Sequence, residues 1–129
     1  MNIKLHIEYI GTNYFGWQKQ GRKKTIQSEI EKNLFKIYKK KITLIGSGRT
    51  DSGVHALNQI ANFHIDENNL NLIALRNKLN QLLNLDIRIK ECSTEKDAFH
   101  SQHSCKKKTY LYKIKASEPC SVFELDRLL

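Results

Sequence analysis

Apolar and polar residues alternate along two stretches of the chain, which is the pattern of strands that bury one face. The first stretch covers residues 3–10, and its apolar side comprises Ile3, Leu5, Ile7 and Tyr9. The second covers residues 55–66, and its apolar side comprises Leu57, Gln59, Ala61, Phe63 and Ile65. We therefore expect two strands whose apolar sides contribute to a shared core.

Two other stretches place apolar residues three or four positions apart, as on one face of a helix. The first comprises Ile26, Ile30, Leu34, Ile37 and Tyr38, and the second comprises Leu72, Leu75, Leu79, Leu82 and Leu83. Thr25 is placed to cap the first helix, and Asn68 or Asn69 to cap the second. The spacing thus predicts two amphipathic helices.

Three shorter segments complete the pattern of elements. Residues 42–45, 86–92 and 109–115 are each predicted to form a strand. The order along the chain is then strand, helix, strand, strand, helix, strand and strand. This order predicts an α+β fold of the ferredoxin-like split βαβ type, with an antiparallel sheet and both helices on one face.

The composition is typical of one globular domain in a reducing compartment. The 129 residues are 40% hydrophobic, and no apolar run approaches the length of a membrane span. Residues 1–6 lack the apolar core of a signal peptide, so we expect a cytoplasmic protein without membrane association. Cys92, Cys105 and Cys120 lack the close pairing of a zinc site, and the five histidines are scattered. No metal site is therefore expected.

The net charge narrows the class of partner. Lysine and arginine number 22 against 13 acidic residues, which gives a net charge of +9. Such a surplus attracts polyphosphates, and nucleic acid is the usual partner. A lysine-rich composition without any specific partner explains the same numbers, so charge alone leaves both interpretations open.

The run at 46–55, GSGRTDSGVH, contains the strongest candidate for chemistry. It places one carboxylate, Asp51, between glycines and two residues after Arg49. Glycines allow sharp turns and close approach of a ligand, and catalytic side chains concentrate on loops held by a rigid scaffold. An ordinary turn in which Asp51 bonds only its own backbone fits the same spacing.

Basic and aromatic residues occur together near the end of the chain. Lys106, Lys107 and Lys108 directly precede Tyr110 and Tyr112 on the last predicted strand, and Lys19 and Arg22 lie in an early loop. Positive groups bind phosphates, while an aromatic ring stacks on an unpaired base. Ordinary sheet packing for the tyrosines and a solvated surface for the lysines are the alternatives.

An enzyme that acts on a base in folded RNA must first extrude that base. Arginine to fill the vacated space, a carboxylate at the base or sugar, and an aromatic ring against the base form a sufficient set. Arg49, Asp51 and Tyr110 supply these three types. Their spacing does not by itself bring them together.

The chain resembles the N-terminal half of the tRNA pseudouridine synthase A family. The longest matching segments are IEYIGTNYFGWQ at 7–18, TIQ at 25–27 and GRTDSGVHA at 48–56. Shorter matches follow in family order at 79–80, 86–89, 99–100 and 108–112. Each segment alone is weak evidence, whereas the ordered set is highly specific.

The resemblance implies that the protein isomerises uridine to pseudouridine in the anticodon arm of tRNA, at positions 38 to 40 in the family. It implies Asp51 as the catalytic carboxylate, Arg49 as the residue that displaces the flipped base, and Tyr110 as the ring that packs on the uracil. Lys19, Arg22, Lys106, Lys107 and Lys108 are additional candidates for RNA contact. Neither a cofactor nor a metal is implied, and a homodimer is usual in the family.

The family's second half is not found in these 129 residues. We expect residues 1–117 to form the ferredoxin-like catalytic half-domain and residues 118–129 to begin the second half. A homodimer, a partner chain or a longer gene product would then complete the cleft. Two alternatives remain open: an RNA-binding fragment that lacks catalytic turnover, and a truncated gene product without function.

Overall fold

The computed structural model describes residues 1–67 and 69–102. The elements in this part are β1 Asn2–Tyr9, a 3-10 turn Gly11–Asn13, α1 Ile26–Tyr38, β2 Ile45–Gly46, β3 Ala56–His64, α2 Leu72–Leu82 and β4 Ile87–Glu95. Their order agrees with the predicted order of the first six elements. The predicted strand at 109–115 and the predicted boundary at residue 117 lie outside the described residues and stay predictions.

The four strands form one antiparallel sheet in the order β2-β3-β1-β4. β1 lies at the centre, where it pairs with β3 on one side and with β4 on the other. Helix α2 connects β3 to β4, so the chain crosses β1 between these two strands. This arrangement confirms the predicted α+β fold with an antiparallel sheet.

The core lies between the sheet and the two helices. The apolar side of β1 is buried as predicted, with Ile3, Leu5 and Ile7 fully inaccessible to solvent. Both helices add their apolar faces to the same cluster, through Ile26, Ile30, Leu34, Leu75, Leu79 and Leu83. Since burial of an aliphatic side chain contributes about 1.5–3 kcal/mol, this one cluster dominates the stability of the fold.

The two helices begin at side-chain caps. Thr25 caps α1 as predicted, because its side chain accepts a hydrogen bond from the Ser28 amide while the Ser28 hydroxyl accepts one from the Thr25 amide. The predicted cap of α2 was placed too early in the chain. Asn71 holds that position, and its side chain accepts a hydrogen bond from the amide of Ala74.

The strand predicted at 42–45 is shorter and begins only at Ile45. Leu44 is buried, but helix α1 rather than a strand satisfies its backbone: the Leu44 amide donates to Glu31 at 2.9 Å, and its carbonyl accepts from Gln27 at 3.0 Å. An apolar segment therefore lies in the core without joining the sheet, which periodicity alone cannot distinguish from a strand.

The buried face predicted for β3 is correct except at its first member, Leu57, which is 62% exposed. The pairing with β1 shifts between Ile7↔Gln59 and Tyr9↔Ala56, so β3 carries one extra residue there. Such a bulge displaces the alternation of side chains by one position. Leu57 therefore leaves the core face.

Candidate active site

Asp51 lies at the tip of the segment that connects β2 to β3, residues 47–55, which we call the Asp51 loop. Asp51, Ser52 and Gly53 are exposed, and the amide of Val54 donates to the carbonyl of Asp51 at 3.1 Å to close a turn. None of the salt bridges among residues 1–67 and 69–102 involves Asp51. Its carboxylate is therefore open to an incoming ligand.

The first residues of the Asp51 loop are anchored to β3. The Ser47 amide donates to the carbonyl of Ile60 at 2.8 Å, and its hydroxyl donates to the side chain of Gln59 at 3.0 Å. The side-chain amide of Gln59 in turn donates to the carbonyl of Gly48. Because Ser47 and Gln59 are buried, these bonds fix where the loop leaves the sheet.

The far part of the Asp51 loop rests on the β1–α1 loop, residues 10–25. The Trp17 amide donates to the carbonyl of Thr50 at 3.1 Å, and the Gly53 amide donates to the carbonyl of Tyr14 at 3.3 Å. The Gly11 amide donates to Nδ1 of His55 at 2.8 Å. These three bonds bracket Asp51 on both sides and hold the two loops together.

Two glycines allow the backbones of these loops to approach so closely. A Cβ atom on Gly11 would overlap the carbonyl group of Val54, and one on Gly16 would overlap the carbonyl oxygen of Thr50. Gly16 also has a φ of 83°, in the left-handed region that favours glycine. A side chain at either position would force the two loops apart.

Buried aromatic residues pack against the Asp51 loop and the β1–α1 loop on their core side. Tyr9 and Trp17 are buried and stack with ring centroids 6.2 Å apart, and the Tyr9 hydroxyl shares a 2.8 Å hydrogen bond with the Thr50 hydroxyl. Burial raises the pKa of Tyr9. The hydrogen bond to Thr50 lowers this pKa, but by less than burial raises it. Tyr9 therefore stays protonated and acts as a structural support for the residue before Asp51.

A second tyrosine ties the β1–α1 loop to the start of β4. The hydroxyl of Tyr14 donates to Oδ1 of Asp86 at 2.6 Å, and the ammonium of Lys24 lies 5.0 Å from the centre of its ring. Burial and the hydrogen bond to Asp86 raise the pKa of Tyr14. The β1–α1 loop is thus fixed in two places, by its hydrogen bonds to the Asp51 loop and by the hydrogen bond between Tyr14 and Asp86.

A cavity of about 340 Å³ opens beside the first half of the Asp51 loop. Arg49, Gln27, His100 and Gln102 contribute polar groups to its lining, while Trp17 and Leu44 contribute apolar ones. Asp51 is not part of this lining. The two loop residues predicted for the site therefore lie in different environments. Arg49 lines the cavity, whereas Asp51 lies at the exposed tip of the loop.

The other predicted residues are only partly tested by the described part of the chain. Lys19 and Arg22 are exposed in the β1–α1 loop, and Lys19 forms a 3.8 Å ion pair with Glu31 on α1. Tyr110 and the three lysines at 106–108 lie outside the described residues, so their place relative to Asp51 stays a prediction.

Within residues 1–67 and 69–102 no group of three His, Cys, Asp or Glu side chains could hold a metal ion. No helix in the same part is long and apolar enough to cross a membrane.

Sequence reasoning did not foresee several residues that hold the two loops in place. The residues next to Thr50, His55 and Tyr14 in the sequence predict only that each of the three lies in a loop. Their partners are 41, 44 and 72 positions away in the chain, so no periodicity connects them. The available signal was the pair of glycines at 11 and 16, whose small size is required by the contact itself.

Comparison with known proteins places the site in context. The model of a family described as tRNA pseudouridine synthase matches residues 5–104. The chain is 49% identical over 123 residues to tRNA pseudouridine synthase A of Thermodesulfovibrio yellowstonii, which covers 95% of this chain and 48% of that protein. It is 50% identical over 113 residues to the protein of the same name from Caldicellulosiruptor saccharolyticus, which covers 88% and 46%. For the one from Dictyoglomus thermophilum the identity is 42% over 127 residues, covering 98% and 52%. The chain spans about half the length of the curated relatives it matches.

Proposed function

Because this chain belongs to the tRNA pseudouridine synthase family, we propose that it supplies the catalytic loop of an enzyme that converts uridine to pseudouridine in tRNA. The observation that carries the proposal is the exposed Asp51 carboxylate on a loop held rigidly by the β1–α1 loop. The match over residues 5–104 and the names of the relatives support the same reaction. The net charge of +9 suits a polyanionic substrate.

In the proposed reaction Asp51 acts as the nucleophile. A carboxylate oxygen adds to the target nucleotide, at the uracil ring or at the sugar, and the bond between N1 and C1′ breaks. The uracil turns within the site and C5 bonds to C1′. The bond between the nucleotide and the Asp51 oxygen breaks, which frees the carboxylate, while a base removes the C5 proton and N1 takes up a proton. A preformed loop favours this step because the nucleophile does not have to be ordered when the substrate arrives.

The other candidates have supporting roles in this proposal. Arg49 fills the space that the extruded base leaves, and Tyr110 packs on the uracil. Lys19, Arg22 and the three lysines at 106–108 contact phosphates. The substrate is the anticodon arm of tRNA, which places the protein in the cytoplasm.

A second polypeptide segment completes the cleft, since the chain spans about half the length of its relatives. A second copy of this chain in a homodimer, a separate partner chain and the continuation of a longer gene product are the three candidates for this segment. Each would cover the side of the Asp51 loop that the described residues leave exposed.

The test is release of tritium from tRNA that carries 5-³H-uridine, because formation of pseudouridine expels the C5 hydrogen. The 129-residue chain is assayed alone and fused to the C-terminal half of the Thermodesulfovibrio yellowstonii relative. We expect release from at least the fused form, and loss of at least about a thousandfold in rate for Asp51→Asn and Asp51→Ala. Asp66→Asn, an exposed carboxylate at the other end of β3, is the matched control and should retain full activity.

Release of tritium that survives Asp51→Ala would overturn the proposal, as would its absence from both forms. In the second case the alternative is an RNA-binding fragment without turnover. That fragment would bind tRNA with an affinity that falls steeply with salt and does not depend on Asp51. A salt titration of tRNA binding by wild type and Asp51→Ala tests for this fragment, while the tritium assay tests for the enzyme.

A further inference from the structure

Phe15 is exposed although the residues around it in the β1–α1 loop are buried. Its exposed fraction is 48%, whereas those of Tyr14 and Trp17 are 3% and 2%. Phe35 on α1 is the other large aromatic residue exposed in the described part of the chain. A single exposed apolar side chain is ordinary on a protein surface, so the case for Phe15 depends on where its loop holds the ring.

The backbone of Phe15 is fixed from both sides. Its amide donates to the carbonyl of Lys24 at 2.8 Å, and its carbonyl accepts a 3.3 Å hydrogen bond from the side chain of Gln20. The next residue, Gly16, fits against the carbonyl of Thr50 only because it lacks a side chain. Phe15 therefore projects from a rigid support rather than from a freely moving loop.

The same contacts place Phe15 beside the Asp51 loop. The residue before it, Tyr14, accepts a hydrogen bond from the Gly53 amide, and the residue after it, Gly16, lies against the backbone of Thr50 and Asp51. Both chain neighbours of Phe15 thus contact the residues that flank the proposed nucleophile. A base that stacks on this ring would lie close to the Asp51 loop.

The charges around Phe15 are positive. The ammonium of Lys23 lies 5.4 Å from the centre of the Phe15 ring, a cation–π arrangement that orients the ring. Lys19, Arg22 and Lys24 lie in the same loop, and of these Lys19 is paired with Glu31. A ring flanked by cations matches a base flanked by phosphates, and it suits an acidic protein surface less well because a carboxylate has no aromatic ring to stack on Phe15.

We propose that Phe15 is a stacking residue for an unpaired base next to the target uridine. This inference rests on the proposed function, and it adds a contact made by the β1–α1 loop instead of the Asp51 loop. Lys23 holds one face of the ring and contacts the adjoining phosphate. Stacking of this kind is tolerant of base identity, so Phe15 contributes to affinity and placement more than to choice of sequence.

Binding of an unmodified anticodon stem–loop RNA to the 129-residue chain tests this proposal. We expect Phe15→Leu, which keeps an apolar side chain but removes the ring, to weaken binding roughly tenfold. Phe15→Trp should restore most of the affinity. Phe35→Leu is the matched control, since it removes the exposed ring on α1, and should bind as the wild type does.

Salt dependence separates stacking from charge. Phe15→Leu should leave the slope of log affinity against log salt unchanged, whereas Lys23→Ala should reduce that slope by about one. Photocrosslinking of the same RNA carrying 5-iodouridine beside the target position should map to Phe15. Wild-type affinity in Phe15→Leu, or a crosslink elsewhere in the chain, would overturn the proposal.

The failures of the two proposals are distinguishable. If the fused form releases tritium and Phe15→Leu binds RNA and reacts as the wild type does, the stacking contact is refuted and the enzyme activity stands. If the wild-type chain binds RNA with loss of affinity in Phe15→Leu but releases no tritium in any form, the contact stands and the enzyme activity is refuted. Absence of any RNA binding overturns both.

Discussion

Gly16 and Gly21 show how two similar residues of the same loop carry different constraints. Both have positive φ angles, 83° and 54°. A Cβ atom on Gly21 meets nothing within 4 Å, whereas one on Gly16 would overlap the carbonyl oxygen of Thr50. Backbone conformation alone therefore treats the two residues alike, and only the contact with the Asp51 loop separates them.

This difference predicts the effects of alanine at the two positions. Gly21→Ala should lower the free energy of unfolding by about 1 kcal/mol, the cost of a left-handed non-glycine residue. Gly16→Ala should lower it by about 3 kcal/mol, because steric overlap is added to the same backbone cost. Urea denaturation of the two variants measures the difference. Equal losses would contradict the close contact between the loops.

Cys92 gives a prediction about pH. Burial raises the pKa of its thiol from 9.0 to about 12. A group whose pKa is higher in the folded chain contributes its full stability below the unfolded pKa and loses it as pH rises towards the folded pKa. The Cys92 contribution should thus be complete below pH 9 and fall by up to about 1 kcal/mol per pH unit between pH 9 and 12.

The measurement is urea unfolding at several pH values for the wild type and for Cys92→Ala. The variant should show a shallower decline above pH 9, because the thiol is absent while the buried tyrosines remain. A parallel decline in both proteins would contradict the assignment. Alkylation of Cys92, followed by peptide mapping, should also be slow at pH 8 in the folded chain and fast in urea.

At the scale of elements, Asn80 joins helix α2 to strand β4. Its side chain donates to the carbonyl of Ile89 at 2.9 Å and accepts from the amide of the same residue at 2.7 Å. Ile89 is 1% exposed. A single amide side chain therefore satisfies both backbone groups of a buried strand residue.

We predict that Asn80→Ala lowers the free energy of unfolding by about 2–3 kcal/mol, since it leaves two backbone groups unsatisfied. Asn77 lies one turn earlier on the same helix, is exposed, and its side chain accepts hydrogen bonds from its neighbour Arg76. Asn77→Ala should change stability by less than about 0.5 kcal/mol. Chemical denaturation of both variants provides the comparison, and a similar effect of the two would show that the contact with Ile89 adds no stability.

The elements were predictable where one physical rule decided them. The helices followed from spacing and, for α1, from the cap at Thr25, because these are local properties of the chain. The segment at 42–44 was mistaken for a strand because its backbone partners, Glu31 and Gln27, belong to a helix. Leu57 was assigned to the core because a bulge leaves no mark on the alternation that follows it.

At the scale of the whole molecule, the residues of the candidate site could be chosen from the sequence but not positioned by it. The glycine-bracketed turn singled out Asp51, and resemblance to the family implied its catalytic role. That this loop rests on residues 11–17 depends on the sheet order, which brings the ends of β1 and β3 together. These partners lie some forty residues apart in the sequence, and only the folded sheet brings them into contact.

The contact between the Asp51 loop and the β1–α1 loop also determines whether the protein or its nucleic-acid partner changes conformation on binding. If Asp51 acts as the proposed nucleophile, a support this stiff keeps its carboxylate from following a base into a helix, so the deformation would fall on the nucleic acid. Discrimination among tRNAs would then depend on how easily each arm bends and unstacks at the target, in addition to the letters it displays. Weakly paired arms would then be modified fastest.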